Sequence, residues 1–250
     1  MTKVWLVAER DFRMFIQFKF VLILRAIWFI AQIALFGLVS TRMFVVPNYF
    51  DFYAGGVIIT LLYSTTMFIG YDIFEEAEHG VTEYLLSIPV SRRELVLGRS
   101  IGGGLRSFVY VGPLMVVILL LIGVTNPLNF LIAFTSLFLF AFGVSGLSIL
   151  LAVGIKSHDK YDIFLGVFNA LIVRFSTTLY PMAYMPQAYS TIARINPLTF
   201  AADIFRWGAG VESYLTSPWM PMLGLFLFFL TFVFAGITFY ERKLEGGGWE

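Results

Sequence analysis

Side chains able to do chemistry are scarce in this 250-residue chain. It has two histidines, His79 and His158, and no cysteine, which removes disulfides, thiol nucleophiles and thiolate metal sites. Gly143-Val144-Ser145-Gly146 matches the G-x-S-G of intramembrane serine proteases, but that serine needs a histidine on a neighbouring helix to take its proton. Both histidines fall in polar loop segments, so these small residues read better as a helix-packing surface. Gly102-Gly103-Gly104 lacks the lysine and hydroxyl of a phosphate-cradling loop, and no G-x-x-x-x-G-K-S/T occurs. Two histidines and scattered carboxylates make no metal-ligand cluster. What remains is polar decoration of apolar stretches. Thr60, Tyr63, Ser64, Met67 and Tyr71 share one stripe, and Asn169, Ser176, Thr177 and Tyr180 lie broadly on one side of another. Such groups can line the path of a solute, or bond helix to helix without touching one.

The elements that position them are set by composition. The chain is 59% hydrophobic and 13% charged, with a mean hydropathy of +0.84, whereas soluble domains carry about 25% charge. Disorder, an ordinary soluble enzyme and a basic nucleic-acid binder are all disfavoured, and a net charge of +1 implies no attraction to an anionic polymer. The class is an all-α polytopic membrane protein. A span needs roughly 20 apolar residues. Six are expected: about Phe20 to Met43, Phe52 to Ile73, two within the uncharged stretch Ser107 to Ile155, Ile163 to about Tyr180, and one within Ser213 to Tyr240. Thr125-Asn126-Pro127-Leu128-Asn129 supplies the turn between the third and fourth, and the sixth is expected to start after Pro218 and Pro221. Barrel strands would alternate over about 10 residues, and these long runs do not. No repeat of fixed period appears.

Basic residues orient the spans. Lys3, Arg10, Arg13, Lys19, Arg92, Arg93, Arg99, Arg106, Lys156, Lys160, Arg242 and Lys243 share the side of both termini, while Arg42, Arg194 and Arg206 fall opposite and Arg25 and Arg174 lie within spans. Both termini are therefore expected in the cytoplasm, in a multi-pass protein of the cytoplasmic (plasma) membrane. No cleaved signal peptide is expected, because the first apolar run is far longer than an h-region and no A-x-A site follows.

Three segments are not plain spans. Residues 1–19 read as an amphipathic helix, with Val4, Trp5, Ala8, Phe12, Phe15 and Ile16 on one arc and Lys3, Arg10, Arg13 and Gln17 on the other. It suits the inner-leaflet interface, as an anchor or as a helix that also touches a cytoplasmic partner. Residues 74–106 form the most polar segment. The acids Asp72, Glu75, Glu76 and Glu78 precede a short apolar helix, Val81 to Ile88, and Ser91 with Glu94 makes a capping box for a second. Val81, Tyr84, Leu85 and Ile88 give that short helix an apolar stripe in a cytoplasmic position, which asks for a cover. Residues 175–212 hold Pro181, Pro186 and many hydroxyls, which fit an outer-side re-entrant hairpin rather than a lipid-facing span. There, Asn196-Pro197 turns into a short helix, Leu198 to Trp207.

Three features in this order resemble the permease subunit of type-2 ABC exporters: the amphipathic leading helix, EHGVTEYLLSIPVSRRE (Glu78 to Glu94), and Pro181 with Pro186 followed by NPLTFAADIFR (Asn196 to Arg206). The resemblance covers essentially the whole chain as one permease domain, 1–250. It implies that Gly80 through Ile88, including Glu83, Tyr84 and Leu85, form a coupling helix that docks on a separate ABC ATPase subunit. It also implies that the outer hairpin, with Pro181, Pro186, Asn196, Pro197 and Arg206, closes the exit side. ATP and magnesium would be held by that ATPase and no cofactor by this chain. Two permease copies, identical or related, would enclose the pathway among membrane lipid. Arg174 departs from the family's uncharged hairpin start; it is expected either to reach the outer headgroups or to meet substrate. The aromatic, methionine and hydroxyl character of span two leans toward an amphipathic or lipid-like cargo. The rival reading is a membrane scaffold or assembly factor that transports nothing.

Overall fold

The computed structural model describes residues 3–17, 19–39, 48–124, 126–155, 157–211 and 217–245, and these are almost entirely helical. Arg42, Thr125, Lys156 and Ser213, used above to place loops and span ends, lie outside them. Helix α1 (Lys3–Gln17) is followed by α2 (Lys19–Gln32), which continues through a π-helical turn (Ile33–Gly37) to Val39. Then come α3 (Tyr49–Met67), α4 (Ile69–Glu78), the short α5 (Val81–Ser87), α6 (Arg92–Ile122), α7 (Pro127–Gly154) and α8 (His158–Arg174). A 3-10 turn (Met182–Tyr184), α9 (Gln187–Ala193), α10 (Pro197–Ala209) and α11 (Trp219–Glu245) complete the order.

Among the described residues, four helical stretches are long and apolar enough to cross a membrane: Tyr49–Glu78, Arg92–Ile122, Pro127–Gly154 and Trp219–Leu244. The shortest, at 26 residues, is about 39 Å long at 1.5 Å per residue. The α2 stretch and the 17-residue α8 are shorter. In the most apolar window of Tyr49–Glu78, 83% of residues are buried, against 11% for Trp219–Leu244. The former is therefore the centre of the bundle and the latter its rim. Close approach of backbones joins the rim to the centre: side chains at Gly143 and Gly146 of α7 would collide with Phe228 and the Phe232 carbonyl of α11, and one at Gly236 with the Gly146 carbonyl. That settles the G-x-S-G segment as packing surface, with Ser145 wholly buried.

Several boundaries differ from the sequence expectation. The third span does not begin near Ser107, because α6 runs unbroken from Arg92. Its capping box is formed, with Ser91 N donating to Glu94 Oε2 (2.8 Å) and Glu94 N to Ser91 Oγ (3.2 Å). The glycines at 102–104 do not interrupt it; they admit Ala8, Ile69 and Phe142 against the helix. The fifth apolar helix ends at Arg174 rather than near Tyr180, since Asn196 Nδ2 captures the carbonyls of Ile172 (2.7 Å) and Phe175 (2.9 Å) and turns the chain. The last helix starts at Trp219 and holds Pro221 in its first turn, where a proline has no helical bond to lose.

Helix α1 packs along α6 rather than presenting its whole apolar arc to lipid. Val7 and Ala8 are buried against Gly98 and Gly102, while Trp5 and Ile16 face outward at 48% and 45% exposure. The side chains of Phe15 and Gln17 are outside the described set.

Candidate functional site

The two polar stripes meet at one point, and the second is broken: α8 ends at Arg174, so Ser176, Thr177 and Tyr180 lie beyond the helix that carries Asn169. Tyr63 OH donates to Asn169 Oδ1 at 2.7 Å, bringing the candidate faces of α3 and α8 together from 106 residues apart. One and two turns further along the α3–α4 stretch, Tyr161 OH reaches Met67 O (3.3 Å) and Tyr71 OH donates to Asp162. Asp162 and Tyr161 were not foreseen as part of this seam. They lie seven and eight residues, about two turns, before Asn169 on α8, and the periodicity that placed Asn169 could have found them. Tyr63 and Met67 are buried, whereas Thr60, Ser64 and Tyr71 are half-buried. Thr60 Oγ1 and Ser64 Oγ return their protons to their own helix, at Gly56 O (3.0 Å) and Leu61 O (3.1 Å). The hydroxyls of the stripe therefore bond either to α8 or to their own backbone.

The segment between α8 and α11, expected as the outer hairpin, is built around Arg206. This side chain is wholly buried. Its Nη2 donates to Phe52 O (3.0 Å) and Thr177 O (2.9 Å), its Nε to Phe52 O (3.2 Å), and its Nη1 to Asp203 Oδ1 (3.2 Å). The guanidinium carbon stands 3.6 Å from the centre of the Phe52 ring. Ser176 and Thr177 are buried beside it, and a side chain at Gly56 of α3 would overlap the backbone of Thr178. Asn196 caps α10 through Leu198 N (2.9 Å), and Pro197 occupies the first helical position. Pro181 is buried, while Pro186 and Tyr180 are exposed. Arg174 is exposed at the end of α8, with Nη1 3.4 Å from Ala170 O. Asp203 sits one turn before Arg206 in the D-x-x-R spacing that could have signalled their pairing.

On the side of the chain ends, the coupling stripe is divided. Gly80 takes a left-handed conformation (φ 67°) that starts α5. Glu83 is exposed and Tyr84 is 67% exposed, but Leu85 is 6% exposed and belongs to the core, and Val81 and Ile88 pack against it. The expected exposed stripe thus shrinks to a Tyr84–Glu83 edge, because α5 has only two turns and one of its faces must close over α4. Beneath it lies an ion cluster that sequence reasoning missed. Glu76 of α4 pairs with Arg10 of α1 (2.8 Å) and with Arg99 of α6, and Asp72 pairs with Arg106. Arg99, Arg106 and Glu76 are all buried. The signal was available: Asp72 and Glu76 share a face at i,i+4, and so do Arg99 and Arg106 at i,i+7. His158, at the start of α8, lies flat against Phe74 with Nδ1 3.6 Å from Glu78 Oε1.

The arrangement links a small exposed edge, through an ion-tied helix, to a buried polar seam and the segment held by Arg206. Among the described residues, no group of three or more histidine, aspartate or glutamate side chains could hold a metal ion. In comparison with known proteins, residues 2–209 match the profile of the family described as ABC-2 type transporter. The chain is 26% identical over 182 residues to "Putative transport permease ycf38" of Cyanophora paradoxa, covering 72% of this chain and 62% of that one. The proteins of the same name from Pyropia yezoensis and Porphyra purpurea are 27% and 25% identical over 186 residues, covering 72% of this chain and 63% of each. The chain thus spans less than two thirds of the length of these relatives.

Proposed function

The chain belongs to the ABC-2 type transporter family, and from that premise we propose that it is the permease of an ATP-driven exporter, coupled through α5 to a separate ATPase subunit. In this reading α2 and α8 are the first and fifth of six spans, and both termini lie in the cytoplasm of a plasma-membrane protein. Two copies, or one copy and a related permease, enclose the pathway, and the ATPases hold ATP and magnesium. The aromatic, methionine and hydroxyl character of α3 supports an amphipathic, lipid-like cargo. One observation carries the proposal: the exposed Tyr84–Glu83 edge sits on α4, which follows α3 in the helical stretch Tyr49–Glu78 and is tied by ion pairs to α1 and α6. A push on that edge is therefore delivered to the centre of the bundle.

Reconstitution tests it. The purified chain should hydrolyse no ATP, and a soluble ABC ATPase encoded beside it should bind it and be stimulated by it. Tyr84→Ala should abolish both effects while leaving membrane insertion intact, because truncating an interface anchor costs about 2 kcal/mol or more. A scaffold would leave the ATPase unstimulated, and that result would overturn the exporter reading.

A further inference from the structure

The central span is two helices, α3 and α4, broken at Phe68. A break in an apolar environment frees backbone groups that only protein can satisfy. In a straight helix the Gly70 amide would bond to Thr66 O, and the Met67 carbonyl would accept from Tyr71. Here the Tyr71 amide reaches Phe68 O (3.0 Å) instead. Ser148 of α7 supplies both missing partners with a single hydroxyl: its Oγ donates to Met67 O (2.7 Å) and accepts from Gly70 N (3.0 Å). Tyr161 of α8 completes the arrangement, its hydroxyl 3.1 Å from Ser148 Oγ and 3.3 Å from Met67 O. Both side chains are wholly buried, and the Tyr161 hydroxyl fills the space that any Cβ at Gly70 would need. Two neighbouring helices thus hold the two ends of the break from outside it.

We propose that Ser148 and Tyr161 are positioning residues that clamp this break as a fixed joint, about which α4 and α5 turn as one lever relative to α3. Three features of the joint favour rotation over sliding. The clamp holds Met67 and Gly70 at a single point on α7. The far arm, α4, is a separate ten-residue helix. Its ion pairs, Glu76 with Arg10 and Arg99, and Asp72 with Arg106, attach it to α1 and α6 through long side chains that can follow a tilt. The part assigned to α5 rests on the exporter reading; the joint itself does not.

The test uses the full chain in lipid nanodiscs, and the natural lack of cysteine makes paired spin labels straightforward. One pair, Glu75→Cys with Leu131→Cys, reports α4 against α7. The control pair, Leu131→Cys with Phe239→Cys, reports α7 against α11; all three positions are exposed. Ser148→Ala should broaden the first distance distribution and leave the second unchanged. Losing one buried hydrogen bond should also speed exchange of the Gly70 amide by about tenfold. Ser148→Thr, which keeps the hydroxyl, should restore both readings. Tyr161→Phe, which keeps the ring in place, should loosen the same pair to a smaller degree and serves if the alanine variant does not fold. The joint is refuted if Ser148→Ala leaves the first distribution as narrow as the parent, if both distributions broaden alike, or if the threonine variant is as loose as alanine. None of these readings needs ATP or a partner, so a sound joint in a chain that stimulates no ATPase would count against the exporter reading alone.

Discussion

Replacing Arg206 with alanine removes a wholly buried side chain with hydrogen bonds to α3, to Asp203 and to the segment between α8 and α10. The guanidinium is wholly buried and reaches Phe52 O, Thr177 O and Asp203 Oδ1 at 2.9–3.2 Å. After Arg206→Ala the Asp203 carboxylate keeps only a 3.5 Å contact to Thr177 Oγ1, and the carbonyls of Phe52 and Thr177 lose their donor. Breaking a buried pair from one side costs about 3–5 kcal/mol, because the partner charge stays behind without compensation. Arg206→Lys keeps the charge but not the planar fork, so it should lose about 1.5–3 kcal/mol. The double variant Arg206→Met with Asp203→Leu leaves no unpaired charge and should recover part of the single-variant loss. Unfolding titrations in mixed micelles, followed by tryptophan fluorescence, measure all three. A single cysteine at Gln187, labelled from outside, reports in parallel whether the hairpin has come away. Arg206→Ala within about 0.5 kcal/mol of the parent, the range of an ordinary surface change, would refute the clamp. So would a double variant less stable than the single.

Tyr84→Ala and Leu85→Ala should separate docking from folding. The first should leave thermal stability unchanged and weaken ATPase co-purification, whereas the second opens a core cavity and should cost about 2–5 kcal/mol in the same unfolding titration. Single cysteines at Glu75 and Ser91 should label only from the cytoplasm, and those at Asn126 and Gln187 only from outside; labelling of Ser91 and Asn126 from one side would overturn the six-span topology. Gly146→Val should drive α11 off α7, because the added side chain meets the Phe232 carbonyl rather than a movable side chain. Overpacking of this kind typically costs about 1–3 kcal/mol, and the same unfolding titration should show that loss.

What one-dimensional pattern can carry was legible in the residues. Spans longer than a bilayer core, the Ser91–Glu94 box that starts α6, the Asn196-Pro197 start of α10 and the order of the motifs all depend on neighbours within a few positions, and all are present in the fold. The short helix after Gly80 was legible, but the face it exposes was not. Apolar spacing shows that Tyr84 and Leu85 differ from their surroundings, yet only the packing of a two-turn helix on α4 decides which one turns inward. The charges show the same division. Arg99, Arg106 and Glu76 looked like solvated loop residues because the third span was expected to start near Ser107, apart from the helix that the Ser91–Glu94 box begins. Once the helix runs from Arg92 and α1 lies along Gly98 and Gly102, those side chains are enclosed and must pair. Arg206 likewise reads as an outer-side cation in the sequence and becomes a buried clamp only when Phe52 and Thr177, 154 and 29 residues away, are brought around it. The sequence by itself determined where the chain can be helical and where it is apolar enough to span a membrane, since both follow from local bonding and transfer free energy. The tertiary structure alone decided which polar groups face each other, because hydrogen bonds and ion pairs act over about 3 Å and their partners come from helices that the sequence leaves far apart.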